Sequence, residues 1–107
     1  MHDKFIIEKI VHNGNKGERG SPVTDIKYDG LVGCPVSFNM SDIHIGYSLT
    51  MYIAPYAHRL YDWFTVSCIQ DVVYDPNEKM LIIETINSIY YLKEIEYDKR
   101  TDKWIFK

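Results

Sequence analysis

Residues 80–95, MLIIETINSIYYLKEI, place the tightest constraint on the fold. In one unbroken strand, alternation would set Met80, Ile82, Ile86, Tyr90 and Leu92 on the same face as Glu84 and Ser88. An unpaired Glu84 carboxylate in a core costs several kcal/mol or is forced to protonate. A tight turn at residues 85–88 removes the conflict. It carries Glu84, Thr85, Asn87 and Ser88 to an exposed tip, or lets Asn87 and Ser88 hydrogen-bond the local backbone.

The flanking segments continue the same logic. Asp75-Pro76-Asn77-Glu78-Lys79 is a turn by composition, with Pro76 fixing φ and Asn77 tolerating a left-handed conformation. It joins a strand ending at Tyr74 to one beginning at Met80. Residues 88–97 form the next strand, residues 98–102 (DKRTD) a third turn, and residues 103–106 the last strand. Turns roughly every ten residues are the spacing of a meander in small barrels and sandwiches. The nine Tyr and the many Ile and Val favour strands as well, and Ala is scarce.

In the N-terminal half, residues 5–11 (FIIEKIV) read as a strand with Glu8 and Lys9 inside it. Residues 13–20 (NGNKGERG) contain three glycines and no apolar side chain, the composition of an exposed, flexible loop. In residues 23–28, Ile26 and Tyr28 share the inward parity, and Asp29-Gly30 suits a type I′ hairpin turn that returns through Leu31 and Val32. Gly33 and Pro35 then interrupt the ladder, which predicts an edge or bulged strand. Residues 41–46 fit either a helical turn or a short strand. Residues 47–54 are a strand closed by Pro55, and residues 55–63 (PYAHRLYDW) are the one place for a short helix. Residues 64–74 alternate until the parity shifts at Gln70 and Asp71, which predicts a bulge or sharp bend of one strand. The expected fold is a single mainly β domain over residues 1–107. It is a five- to six-stranded antiparallel barrel or strongly bent meander, SH3-like, with at most one short helix.

A chain of 107 residues with 46% hydrophobic content can bury one core without metal or disulfide. The net charge of −3 argues against a nonspecific nucleic-acid binder, which depends on clustered Lys and Arg. The one basic cluster, Lys93, Lys99, Arg100, Lys103 and Lys107, is interleaved with Glu94, Glu96, Asp98 and Asp102, so its field nearly cancels. With only Cys34 and Cys68 and no apolar signal-peptide run near the N-terminus, reduced thiols in a cytoplasm are expected. No apolar run is long enough to span a bilayer.

Chemistry-bearing constellations are sparse. His2, His12, His44 and His58 lack the i, i+4 spacing or the neighbouring cysteines of a metal site. Cys68 shares a parity with Phe64 and Val66 and reads as core packing rather than as the nucleophile of a Cys-His pair. GNKGERG lacks the spacing of a phosphate cradle. No metal, no cofactor and no enzymatic activity is expected. The strongest candidate is the run Tyr52, Tyr56, His58, Arg59, Tyr61 and Trp63, because Tyr, Trp and Arg dominate interface hot spots.

From Thr65 to Leu92 the chain runs TVSCIQDVVYDPNEKMLIIETINSIYYL. Its Thr85-x-Asn87-Ser88-x-Tyr90-x-Leu92 segment resembles a pattern in short uncharacterised β proteins of phages and mobile elements of Gram-positive bacteria. The earlier part departs from that pattern, with Val66 between Thr65 and Ser67. The resemblance implies a small β protein that engages or inhibits a host protein, and it carries over no catalytic residue. The functional expectation is a non-enzymatic binding module using Tyr56, His58, Arg59, Tyr61, Trp63 and the Asn87, Ser88, Tyr90 tip. The alternative is a small-ligand or nucleotide-binding β-barrel in which the same aromatics line a pocket and Arg59 reads a charged group. An open strand edge also offers a route to a homo-oligomer.

Overall fold

A computed structural model describes residues 3–24, 31–53, 63–98 and 103–106, with backbone alone for residues 3, 4, 96–98 and 103–106. The expectations for residues 25–30, 54–62 and 99–102 lie outside the described residues: the Ile26 and Tyr28 orientation, the Asp29-Gly30 turn, the short helix and most of the DKRTD turn.

The protein is mainly β. Its strands are β1 (Asp3–His12), β2 (Pro35–Phe38), β3 (Leu49–Ile53), β4 (Trp63–Val66), β5 (Ile69–Asp75), β6 (Met80–Thr85), β7 (Ser88–Asp98) and β8 (Lys103–Phe106). All pairings are antiparallel, in the order β4-β3-β2-β1-β7-β6-β5, with β8 on the far end of β7. The eight strands among the described residues exceed the expected five or six, partly because residues 64–74 are two strands rather than one bent one. The break falls at Ser67-Cys68, and a register shift between Ile69 and Asp71 accounts for the parity change.

Strands β4 and β5 are adjacent in sequence yet lie at opposite ends of the strand order. Three residues of chain reach at most about 11 Å, so the step from Val66 to Ile69 draws the two edges together at one corner. There the Ile69 N–H donates to Tyr47 O at 2.9 Å, and the Gly46 N–H donates to Ile69 O at 2.7 Å. No ladder joins β4 to β5 among the described residues. The sheet is curled but open among the described residues, so the expected barrel closure of an SH3-like fold is not found; two runs of sequential strands, β1 to β4 and β5 to β7, meet at the β1–β7 pairing instead of forming one continuous meander.

The curl encloses the core. Two cross-strand rows line its inner face, Val72-Ile83-Tyr90-Ile10 and Tyr74-Leu81-Leu92-Ile7. Ile7, Ile83 and Leu92 are completely buried. Side chains of this size contribute about 1.5–3 kcal/mol each when fully buried. Val36, Phe38, Leu49, Met51, Ile53 and Val66 complete the core from β2, β3 and β4, and the Phe5 and Phe38 rings stack at 5.1 Å. Strand β1 keeps both Ile7 and Ile10 inside because a register shift between Ile7 and Lys9 leaves Glu8 and Lys9 exposed.

The hairpin at residues 85–88 forms as expected, between β6 and β7. Its inner face uses Leu81, Ile83 and Thr85, so Met80, Ile82 and Glu84 face outward. Thr85 and Ser88 are buried, contrary to an all-exposed tip, and each satisfies the other. The β5–β6 turn also forms. Asp75 Oδ1 accepts from the Asn77 and Glu78 backbone N–H groups, and the positive φ of +53° falls on Lys79 rather than Asn77. Pro35 opens β2 between β1 and β3, so β2 is interior. A proline is tolerated at the first residue of a strand, where no ladder bond is lost. Residues 40–42 form a single 3-10 turn. Among the described residues no helix is long and apolar enough to cross a membrane.

Candidate binding surface

Strand β4 is four residues long and, among the described residues, pairs only with β3. Leu49 opposes Val66 and Met51 opposes Phe64, and these pairs turn to the core; the alternate pairs, Thr50 with Thr65 and Tyr52 with Trp63, face outward. The two threonine hydroxyls lie 3.1 Å apart. Tyr52 is 49% exposed and Trp63 56%. Period-two alternation anchored by Leu49, Met51 and Val66 is what obliges these large aromatics to stand outside.

Tyr56, His58, Arg59 and Tyr61 lie outside the described residues, in the stretch of sequence that begins after Ile53 and ends at Trp63. Of the expected aromatic run, Tyr52 and Trp63 are therefore the members with defined positions, and both are at the surface.

The second half of the expected surface is different. Ser88 is 4% exposed and Tyr90 2%, so their side chains belong to the hairpin interior and the core rather than to the surface. Asn87 remains partly exposed, with its Oδ1 accepting from Asn15 Nδ2 at 2.7 Å. Nor does the fold bring the described surface members, Tyr52 with Trp63 and Asn87, together. Tyr52 aligns through Ser37 with Lys4 near the start of β1, whereas the hairpin turn lies beside His12 at its end. Eight residues of strand separate these levels by about 25 Å.

The segment after β1, expected to be a flexible loop, is tied to that hairpin. Asn13 Nδ2 donates to Thr85 O at 2.9 Å and Ile86 O at 2.8 Å, and Asn15 Nδ2 donates to Ile86 O at 3.2 Å. Arg19 crosses to Glu84 at 3.1 Å. The hydrogen bond and charge of Glu84 raise the Arg19 pKa further above its ordinary value. Glu84 is thus paired on the outer face, which is how the polar interruption of residues 80–95 is accommodated.

Cys34 and Cys68 form no disulfide, and each is partly buried. The ring of His44 is exposed and meets that of Tyr47 edge-on at 6.3 Å. Among the described residues no group of three His, Cys, Asp or Glu side chains converges. No protein-family model, curated protein or solved structure matches the chain.

Proposed function

We propose that the chain is a non-enzymatic binding module that engages a protein partner through the β3–β4 face carrying Tyr52 and Trp63. The observation that carries this reading is the placement of two half-exposed large aromatics at opposed positions beside a sheet edge. Tyr and Trp present wide, stiff contact area with a polar handle, the properties of interface anchors. The sequence between them, with Tyr56, His58, Arg59 and Tyr61, adds residue types of the same kind. The resemblance to mobile-element proteins supports a host protein as the partner, and a chain whose Cys34 and Cys68 form no disulfide suits a reducing cytoplasm.

The test is affinity capture from a Gram-positive host lysate, followed by calorimetry with the purified candidate. The reading requires one protein whose binding is lost in Trp63→Ala and Tyr52→Ala while their melting temperatures stay close to that of the parent. A parallel thermal-shift screen covers nucleotides and signalling dinucleotides, since a tight ligand raises the melting temperature. A shift with one of these, together with capture indifferent to both substitutions, overturns the proposal.

A further inference from the structure

The opposite edge of the sheet carries a second surface with different chemistry. Above Ile69, the side of β5 turned away from β6 has no ladder among the described residues. The Val72 N–H is capped by Asp71 Oδ1 at 3.0 Å, a local substitute for a strand partner. By the period of two, the Tyr74 backbone is directed to the same side as that of Val72.

Beside this edge runs the segment before β3. It is fastened to β5 at Ile69 and stands away from it further along, leaving a groove of about 440 Å³ lined by Met40, Ile43 and Ile45 on one side and Asp71 and Val72 on the other. Ile45 is 60% exposed. One wall of the groove is thus a strand edge and the other is aliphatic, the two elements by which a sheet accepts an added strand.

Charge decides the kind of strand. No Lys or Arg occurs between Lys27 and Arg59 or between Arg59 and Lys79. Asp71 lines the groove, and Asp42 falls in sequence between its lining residues Met40 and Ile43, with His44 the one ionisable base in the 40–47 segment. A second copy of the chain is a poor occupant. Antiparallel pairing of β5 with itself brings Asp71 and Asp75 of both copies into one short ladder, and like charges in that arrangement are destabilising.

We propose that the β5 edge and the groove beside it take up an extended cationic segment of a protein partner as an added strand. Apolar side chains at alternate positions fill the space against Met40, Ile43 and Ile45, and Lys or Arg at the others meet Asp71. The main chain displaces the Asp71 cap from the Val72 N–H. This surface is separate from the Tyr52–Trp63 face, so either proposal can fail alone.

The test uses labelled octapeptides of alternating Lys and Val, the matching Glu-Val peptide, and a Lys-Val peptide N-methylated at alternate residues, which keeps its charge but cannot complete a ladder. Fluorescence anisotropy reads affinity and amide shifts locate the site. The Lys-Val peptide is expected to bind and to perturb the Val72, Tyr74 and Ile45 amides. The Glu-Val and N-methylated peptides are each expected to bind at least about tenfold more weakly. Asp71→Lys and the exposed-wall variant Ile45→Arg should each weaken binding about tenfold, with the melting temperature retained, while Trp63→Ala has no effect. Equal binding of the N-methylated or the Glu-Val peptide overturns the proposal. So do indifference to both groove variants, absence of binding, or a concentration-dependent dimer that perturbs these amides without peptide.

Discussion

The Thr85 hydroxyl closes on the backbone of Ser88 from both directions, donating to Ser88 O at 3.1 Å and accepting from the Ser88 N–H at 3.2 Å. Thr85 is 1% exposed, so water does not replace these bonds when they are lost. Thr85→Val keeps the shape and strands two buried backbone groups. An unsatisfied buried group costs about 1–3 kcal/mol, so the variant is expected to lose roughly 2 kcal/mol or more in urea denaturation. Thr85→Ser keeps the hydroxyl and gives up a methyl, costing about 1 kcal/mol. Equal losses for the two variants would show that packing, rather than hydrogen bonding, holds the turn.

Asn13 performs the same service from far away in sequence, its amide bridging Thr85 O and Ile86 O. Asn13→Ala is therefore predicted to cost about 1–2 kcal/mol. It should also speed amide exchange at the turn between β6 and β7 more than elsewhere in the sheet. Arg19→Ala removes a solvent-exposed ion pair with Glu84 and a hydrogen bond to Asn13 O, and should cost less than Asn13→Ala, a loss that shrinks as salt is added. If Arg19→Ala proves the more damaging, the amide bridge is not what anchors this segment.

Gly17 is required by a neighbour rather than by its backbone angle. A Cβ added there would lie 2.6 Å from Cγ and Cδ2 of His12, a ring fixed at the end of β1. Gly17→Ala should destabilise by about 1–3 kcal/mol, the usual cost of overpacking. In the His12→Ala background the same change should cost little. A double-mutant cycle with no coupling between the two positions would refute the close approach.

Local chemistry made the β5–β6 and β6–β7 turns legible in the sequence. The polar residues of Asp75-Pro76-Asn77 and of Thr85 to Ser88 bond their own neighbourhood, so their effect is encoded within a few positions. What escaped reading involves residues far apart. Asn13 and Thr85 are 72 positions apart, and nothing in NGNKGERG shows that its amides cap another turn. The parity shift at Gln70 and Asp71 is compatible with a bent strand or with a break between two, and pairing with β3 or β6 decides which. The burial of Tyr90 did have a signal. It shares a parity with Leu92 and Ser88 in β7, and following the alternation back from Leu92 turns it inward, where its apolar ring outweighs its hydroxyl.

Tyr74 tests how the inner row ends at solvent. It stands at the edge of the row Leu81, Leu92 and Ile7, 40% exposed, and its hydroxyl donates to Glu94 Oε2 at 2.8 Å. Donation to that carboxylate favours the neutral phenol, so the Tyr74 pKa is raised above its ordinary value. A pKa higher in the folded than in the unfolded chain gives a contribution fully present below the unfolded value of about 10 and lost as pH rises through the folded one. The stability lead of the parent over Tyr74→Phe should therefore hold steady up to about pH 9 and shrink above about pH 10. Melts of the two proteins across this range read it directly. Glu94→Gln removes the charge that holds the proton, so the Tyr74 part of the tyrosinate absorbance, isolated by difference against Tyr74→Phe, should move to lower pH. A lead that survives unchanged beyond the Tyr74 transition, or an absorbance difference indifferent to Glu94→Gln, would mean that the ring, not its hydrogen bond, is what β5 contributes here.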